Sequence, residues 1–367
     1  MQKKIIACAL ASLLSSAAFA QSSVTIYGTV DMGWLHRGGN SGGVSGTKSQ
    51  NDLQANSAQS SIGFKGVEDL GNGLKALFDL QYRINPDENS GLAKAGHQYV
   101  GVTGGFGTVV AGYLDGLRYG IYDKYTPFGN YSVGNFASMT TQYDRAANAV
   151  AYISPAFYGF TLILAHSTNT QTAEGGLASV HTGLAAQGNN GDDRLYSVNL
   201  VYANGPLSVD LDYETTKTVG MSDSQLYVAT AGASYDFGVV KVSGLYDVIK
   251  GDPNSLIGGS TTLDLGKVGA GNDYDRRNWQ IGVSVPLGKF SVLANYGAVK
   301  DHGRDNSDAS KWAIGTRYAL SKRTSLYADY ARIHNDGNAT FKINPMGNNS
   351  GTSVGVSGFD IGIKHTF

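Results

Sequence analysis

The segment GFDIGIKHTF, residues 358 to 367, ends the sequence on an aromatic. Chain ends commonly fray, and a large apolar side chain there gains nothing unless something covers it. Taken with period two, Phe359, Ile361, Ile363, His365 and Phe367 share one face, and Asp360, Gly362, Lys364 and Thr366 share the other. That alternation predicts a strand with one apolar side. Because it runs to the last residue, the terminus is expected to be paired, with Phe367 against an apolar or interfacial environment.

At the other end, Lys3 and Lys4 precede an apolar run from Ile5 to about Leu14, and Ala18-Phe19-Ala20 forms a small-x-small cleavage site before Gln21. Residues 1 to 20 are expected to be a secretory signal peptide, leaving residues 21 to 367 as one domain. Cys8, the single cysteine, lies inside that segment and too early to serve as a lipoprotein cysteine, so the mature chain has no disulfide to hold it. Loss of Lys3 and Lys4 leaves 26 basic against 29 acidic groups, a formal net of about −3. Nucleic-acid binding would want a strong positive excess, so no such partner is expected.

Fifty glycines, 22 tyrosines and only seven prolines are an unusual balance. Abundant aromatic and β-branched residues argue against disorder as its explanation. No stretch of the mature sequence approaches 18 consecutive apolar residues, so no transmembrane helix is expected. A closed barrel remains open as a membrane solution, because its strands satisfy every backbone group and alternate in polarity.

Alternation recurs along the whole chain. Val24, Ile26, Val30, Met32 and Trp34 oppose Tyr27, Thr29 and Asp31; Ile62 and Phe64 oppose Ser61 and Lys65; Leu74, Phe78, Leu80 and Tyr82 oppose Lys75, Asp79 and Arg83. After strands at about 24–34, 57–68 and 73–84, further strands are predicted at 96–104, 107–114, 146–154, 159–167, 193–204, 206–215, 225–237, 239–249, 274–287, 289–301, 309–320, 323–335 and 355–367, sixteen in all. Short connections such as DLGNG, GGFG, NGP and DFG alternate strictly with longer ones. Short turns at one end and long loops at the other describe an all-β, sixteen-stranded antiparallel transmembrane barrel, with both termini at the short-turn end. Phe367 then falls in the aromatic girdle on the lipid face of the closing strand. A soluble β-sandwich also alternates, but sixteen regular hairpin strands without a second domain fit it less well.

SSVTIYGTVDMG, SSIGFKGVEDLGNGLKALFDLQ, GVTGGFGTVVAGYLDG, NAVAYISPAFYGF, GASYDFG and the terminal GFDIGIKHTF together resemble the general porins of β-proteobacteria, the Neisseria and Burkholderia type. The resemblance spans essentially the whole mature chain. It implies a homotrimer in the outer membrane, surrounded by lipid and lipopolysaccharide, that passes small hydrophilic solutes and ions by diffusion. It also implies that the third extracellular loop, about residues 114 to 145, folds inward as the constriction. Tyr119, Tyr122, Tyr125, Phe128, Tyr131, Phe136 and Tyr143 give that loop much to bury.

A passive pore needs a wet lumen and charges that bias entry. From the alternation Lys65, Lys75, Arg83, Asp210, Asp212 and Glu214 face inward, the last three as one acidic stripe. Asp115, Arg118, Asp123, Lys124, Asp144 and Arg145 lie in or beside the loop. Relatives of this type commonly carry an arginine in the second strand and another in the fifth, where this sequence has Ser61 and Tyr113; Arg145 does match the family's basic residue at the loop's end. The expectation is weak ion preference, with Arg145 opposed by Asp115 or Asp123 across the lumen.

Other functions remain as alternatives. A substrate-specific channel would use the loop aromatics as a stacking track for a sugar or small carboxylate. An adhesin or phage receptor would use the Gly-, Asn- and Ser-rich loops near 36–56, 168–192, 250–273 and 336–354. Enzyme chemistry has little support: the histidines are scattered, and no H-E-x-x-H, Walker loop or G-x-G-x-x-G occurs. The acidic pairs Glu68/Asp69, Asp192/Asp193 and Asp273/Asp275 offer at most an exposed calcium site. No cofactor or metal is expected.

Overall fold

A computed structural model describes residues 23–39, 49–55, 60–88, 92–140, 145–170, 193–218, 225–251, 274–303, 306–339, 341–343 and 355–367. The expected signal peptide, Asp144, Tyr143, Asp192, Asp273 and much of the long loops lie outside the described residues.

The strands are β1 (Ser23–Gly38), β2 (Ser49–Ala55), β3 (Ser61–Gly71), β4 (Leu74–Ile84), β5 (Leu92–Gly104), β6 (Gly107–Asp115), β7 (Arg145–Ile153), β8 (Phe160–Ser167), β9 (Asp193–Asn204), β10 (Leu207–Thr218), β11 (Gln225–Asp236), β12 (Lys241–Gly251), β13 (Tyr274–Leu287), β14 (Phe290–Asp301), β15 (Ala309–Ala319), β16 (Thr324–Asn335) and β17 (Ser357–Thr366). Apart from β2 and β3, which both pair with β1 and not with each other, each pairs antiparallel with its sequence neighbour, and β1 also pairs with β17 from Thr29↔Thr366 to Gly38↔Ser357. These seventeen segments make sixteen staves. β1 meets β3 over Ser23–Thr29 and β2 over Met32–Gly38, so β2 and β3 together form the second stave.

The second stave thus reaches from Ser49, well into the stretch the sequence assigns to a loop. Its extension, SQNDLQA, lacks an apolar row. A stave that projects beyond the hydrocarbon zone has water on both sides, and periodicity then carries no signal.

Alternation sets the two faces. In β10 Asp210, Asp212 and Glu214 point inward and are buried, whereas Leu211 and Tyr213 point outward and are exposed. Ile26, Val100, Ile281, Ile314 and Ile361 join them on the outer surface. Aromatics collect near the short turns, where Phe160 packs on Tyr202, Tyr235 on Phe237 and Phe290 on Tyr318. Nearer the long loops a second set includes Trp279 with Tyr296 and Trp312 with Tyr330. Two aromatic belts flanking an apolar band are the signature of a membrane-spanning barrel.

Phe367 belongs to the outer face. Its N–H donates to Gly28 O at 3.0 Å, Gly28 N–H donates back to Phe367 O at 3.2 Å, and its ring covers the place where a Cβ on Gly28 would stand. The terminus is paired, and its ring lies over β1.

A hydrophobic core exists as well, inside the barrel. Tyr122, Phe128, Val133, Phe136 and Met139 of the β6–β7 connection pack against Leu245, Leu293, Val299, Ala313 and Ile333 of the inner wall.

Candidate functional site

Helix α1 (Leu117–Tyr125) follows Asp115, with Gly116 at its N-cap. It ends at Thr126, held extended at φ −106°, ψ 134° ahead of Pro127, whose ring disfavours helix in the preceding residue. Thr126 Oγ1 donates to Tyr122 O at 2.8 Å and closes the last turn. The helix buries Arg118, Tyr119, Ile121, Tyr122 and Tyr125, and leaves Gly120, Asp123 and Lys124 on its open side.

The connection can approach the wall because inward positions there lack side chains. A Cβ on Gly297 would lie 2.6 Å from Phe136 Cε2, and one on Gly315 would lie 2.7 Å from Phe128 Cε1; Gly232 is filled in the same way by Tyr125. Five of the seven loop aromatics, Tyr119, Tyr122, Tyr125, Phe128 and Phe136, are buried. They hold the segment in place and do not form a stacking track along the lumen.

Charge fixes it further. Arg118, 1% exposed, is ion-paired to Asp247 and also donates from Nε to Thr230 Oγ1 at 3.2 Å and from Nη2 to Thr140 Oγ1 at 2.9 Å. Tyr122 OH donates to the same carboxylate at 2.6 Å. Glu214 Oε1 accepts from Arg118 N at 3.4 Å, and Lys124 Nζ donates to Asp210 Oδ1 at 3.0 Å. Beyond the helix, Lys311 Nζ is hydrogen-bonded to Asn135 O, Asn295 donates to Gly134 O at 3.0 Å, and Val133 N donates to Asp360 Oδ2 at 3.1 Å. The segment from Leu117 to Thr140 is therefore tied to the inner wall from β10 to β17.

This changes the expected roles of several residues. Asp210, Asp212 and Glu214 do form one inward stripe, but at 3 to 5% exposure they lie under α1 and do not line open lumen. Arg118 is a tie between loop and wall. The helix's open side carries Asp123, whose pKa is raised by enclosure within the protein, opposed by the Asn130 N–H and by Lys364. Lys124 is held above the ordinary lysine value: burial works against its charge, but hydrogen bonds to Tyr125 and Asp210 outweigh it. Tyr131, half-buried beside Tyr119, has its pKa raised, chiefly by burial.

Across from the helix the wall from β3 to β6 stays open, with Lys65 exposed, Arg83 and Tyr99 half-buried and Asp115 41% exposed. Arg145 and Asp115 are register partners, Nε to Oδ1 at 2.9 Å. They stand side by side on adjacent strands, which corrects the expectation that Asp115 opposes Arg145 across the lumen; Asp123 is the loop carboxylate left free to face this wall. Arg145 also sits 5.8 Å over the Tyr119 ring. Lys65 lies 5.0 Å over Tyr27. Arg83, opposite Ser61 in register, acts electrostatically on both Asp115 and Tyr131. Lys75 is the second residue of β4, at the short turn, and the register partner of Thr103.

Sequence reasoning missed His97. Its Nδ1 lies 2.8 Å from Asp115 Oδ2 and its Nε2 3.4 Å from Asp79 Oδ1, while Tyr27 OH donates to Asp79 at 2.5 Å. Its position on the polar, inward face of β5 was the available signal. Of the acidic pairs, Asp69 caps its own turn at Gly71 N, 2.8 Å, and Asp275 pairs with Lys250 at 3.0 Å. Among the described residues no cluster of His, Cys, Asp or Glu is arranged to hold a metal.

A closed barrel with an apolar outside, two aromatic belts and a polar interior narrowed by a wall-bound helix is an outer-membrane channel. The chain belongs to the Gram-negative porin family, whose model matches residues 7–338. It is 30% identical over 385 residues to outer membrane porin protein 32 of Delftia acidovorans, covering all of both chains. It is 28% identical to the major outer membrane protein P.IB of Neisseria gonorrhoeae, covering 89% of this chain and 91% of that one. Among solved structures it resembles an anion-selective porin from Comamonas acidovorans, with a TM-score of 0.70 at 27% identity over 95% of this chain and 100% of the other. The protein is an outer-membrane porin, and its relatives are channels.

Proposed function

We propose that residues 21 to 367 form a single pore domain, freed of residues 1 to 20, through which small hydrophilic solutes and ions diffuse without a preferred substrate and without catalysis. The constriction lies between the open side of α1, carrying Asp123 and Lys124, and the wall carrying Lys65, Arg83, His97, Asp115 and Arg145. The observation that carries this reading is the asymmetry of the interior: the loop covers β10 to β17 and leaves β3 to β6 facing water. Both signs of charge stand on both sides, so weak ion preference follows. The anion selectivity named for the Comamonas structure is then not expected at full strength here, since Ser61 and Tyr113 stand where arginines are common in this type.

The burial of the loop aromatics favours a general pore over a sugar track. A homotrimer is proposed from the resemblance to the Neisseria and Burkholderia type. An outward apolar groove of about 620 Å³, lined by Met32, Trp34, Leu53, Ile361 and Ile363, offers a surface for a neighbouring wall. Planar-bilayer recording tests function and assembly together. Ohmic conductance in simple salt with closure in three equal steps is expected. Block by one sugar or carboxylate at micromolar concentration would establish a specific channel instead, and single-step closure would deny the trimer.

A further inference from the structure

We propose that His97 is a selectivity-determining residue of this pore, an imidazolium clamped between Asp79 and Asp115 whose deprotonation turns the open wall toward cations. The inference rests on the constriction reading given above and names the group that tunes it.

Nδ1 lies 2.8 Å from Asp115 Oδ2, and Nε2 lies 3.4 Å from Asp79 Oδ1 and 3.2 Å from the Tyr27 hydroxyl oxygen, whose own proton goes to Asp79. A neutral imidazole has one N–H and satisfies one such acceptor; the doubly protonated ring satisfies both. The groups facing it are Tyr27 from β1, Asp79 and Arg83 from β4, Tyr99 from its own strand with ring centroids 5.5 Å apart, Asp115 from β6, and Arg145 from β7 through Asp115. Arg145 pairs with Asp115, on which Arg83 also acts, and Lys65 of β3 is the register partner of Asp79; the imidazolium adds one further positive charge between the two carboxylates. Loss of its proton leaves one net negative charge added to a wall that the permeating ions pass. The ring is 17% exposed, so protons reach it from the lumen. Imidazole is the one side chain whose unperturbed charge change falls near neutral pH.

A unit charge about 10 Å from the ion path in water is worth about 0.4 kcal/mol, about twofold for each ion and about fourfold in the cation-to-anion ratio. The test is the reversal potential of the purified protein in bilayers under an about tenfold gradient of dilute KCl, from about pH 5 to about pH 9, where screening is weak. The wild type should shift toward cations by about fourfold as pH rises. His97→Gln should be flat and lie with the alkaline wild type, and His97→Lys should be flat and lie with the acidic one. A conducting wild type with no pH dependence overturns the inference and leaves the pore reading intact. So does a His97→Gln pore that keeps the wild-type shift. A protein that inserts but conducts at no pH denies the pore reading itself. Should neither variant fold, NMR of labelled histidine in the wild type decides, because the His97 ring must titrate at the midpoint of the selectivity shift.

Discussion

At the scale of single residues, the pore's behaviour follows from which charges have neighbours and which face water. Arg145 compensates Asp115 directly, so Arg145→Ala leaves that carboxylate to His97 and should move reversal toward cations by about twofold per ion at low salt. Ser61→Arg should move it toward anions, at a cost of about 0.2–1 kcal/mol because residue 61 stands opposite Arg83. If both variants reverse with the wild type in dilute salt, the ions do not pass this wall. Asp123 adds a second, acidic limb. Its carboxylate is charged above its raised pKa, so its pull on cations is lost as pH falls through a value higher than that of an ordinary aspartate, about 3.9. Selectivity of the wild type should drift toward anions as pH falls through that raised value, and Asp123→Asn should abolish that drift while leaving any change nearer neutrality untouched.

At the scale of elements, α1 and the segment after it behave as an internal plug fastened to one half of the wall. Its seat depends on missing side chains. Gly297→Leu would drive a side chain into Phe136, an overpacking cost of about 1–3 kcal/mol that lifting the segment would relieve. Single-channel conductance should rise or grow noisy, whereas Tyr296→Ala, one residue away on the outer face, should leave it unchanged. Equal conductance in the two variants would mean that the seat does not set the aperture. The strands were legible in the sequence because lipid on one side and water on the other impose a period of two. The plug was not. Arg118 and Asp247 are brought together by the curvature of five intervening strands, and nothing local in either segment announces the other. The glycines at 232, 297 and 315 read as interruptions of strand pattern until the rings that fill them are seen. His97 was passed over for a related reason: its place on the inward face of β5 marked it as facing the lumen, but its two acidic neighbours on β4 and β6 are remote from it in sequence.

At the scale of the whole molecule, the apolar surface is turned outward and the residual core is turned inward, so the fold is matched to one solvent, the bilayer. Deleting Phe367 removes both backbone hydrogen bonds to Gly28 and an aromatic from the short-turn belt. Surface levels of the deletion variant should fall well below wild type, and normal levels would show that the ring and its pairing are dispensable for insertion. The pairing of β1 with β17 has a further consequence for biogenesis. The two staves that seal the cylinder come from opposite ends of the polypeptide, so no nascent fragment can reach a sealed state while synthesis proceeds. Until the final stave emerges, the first keeps a raw edge that would zip onto any other strand offered to it. Such a chain must be kept unfolded by escorts throughout its transit and committed to structure in one late act, with the slowness that pairing between sequence-distant segments entails.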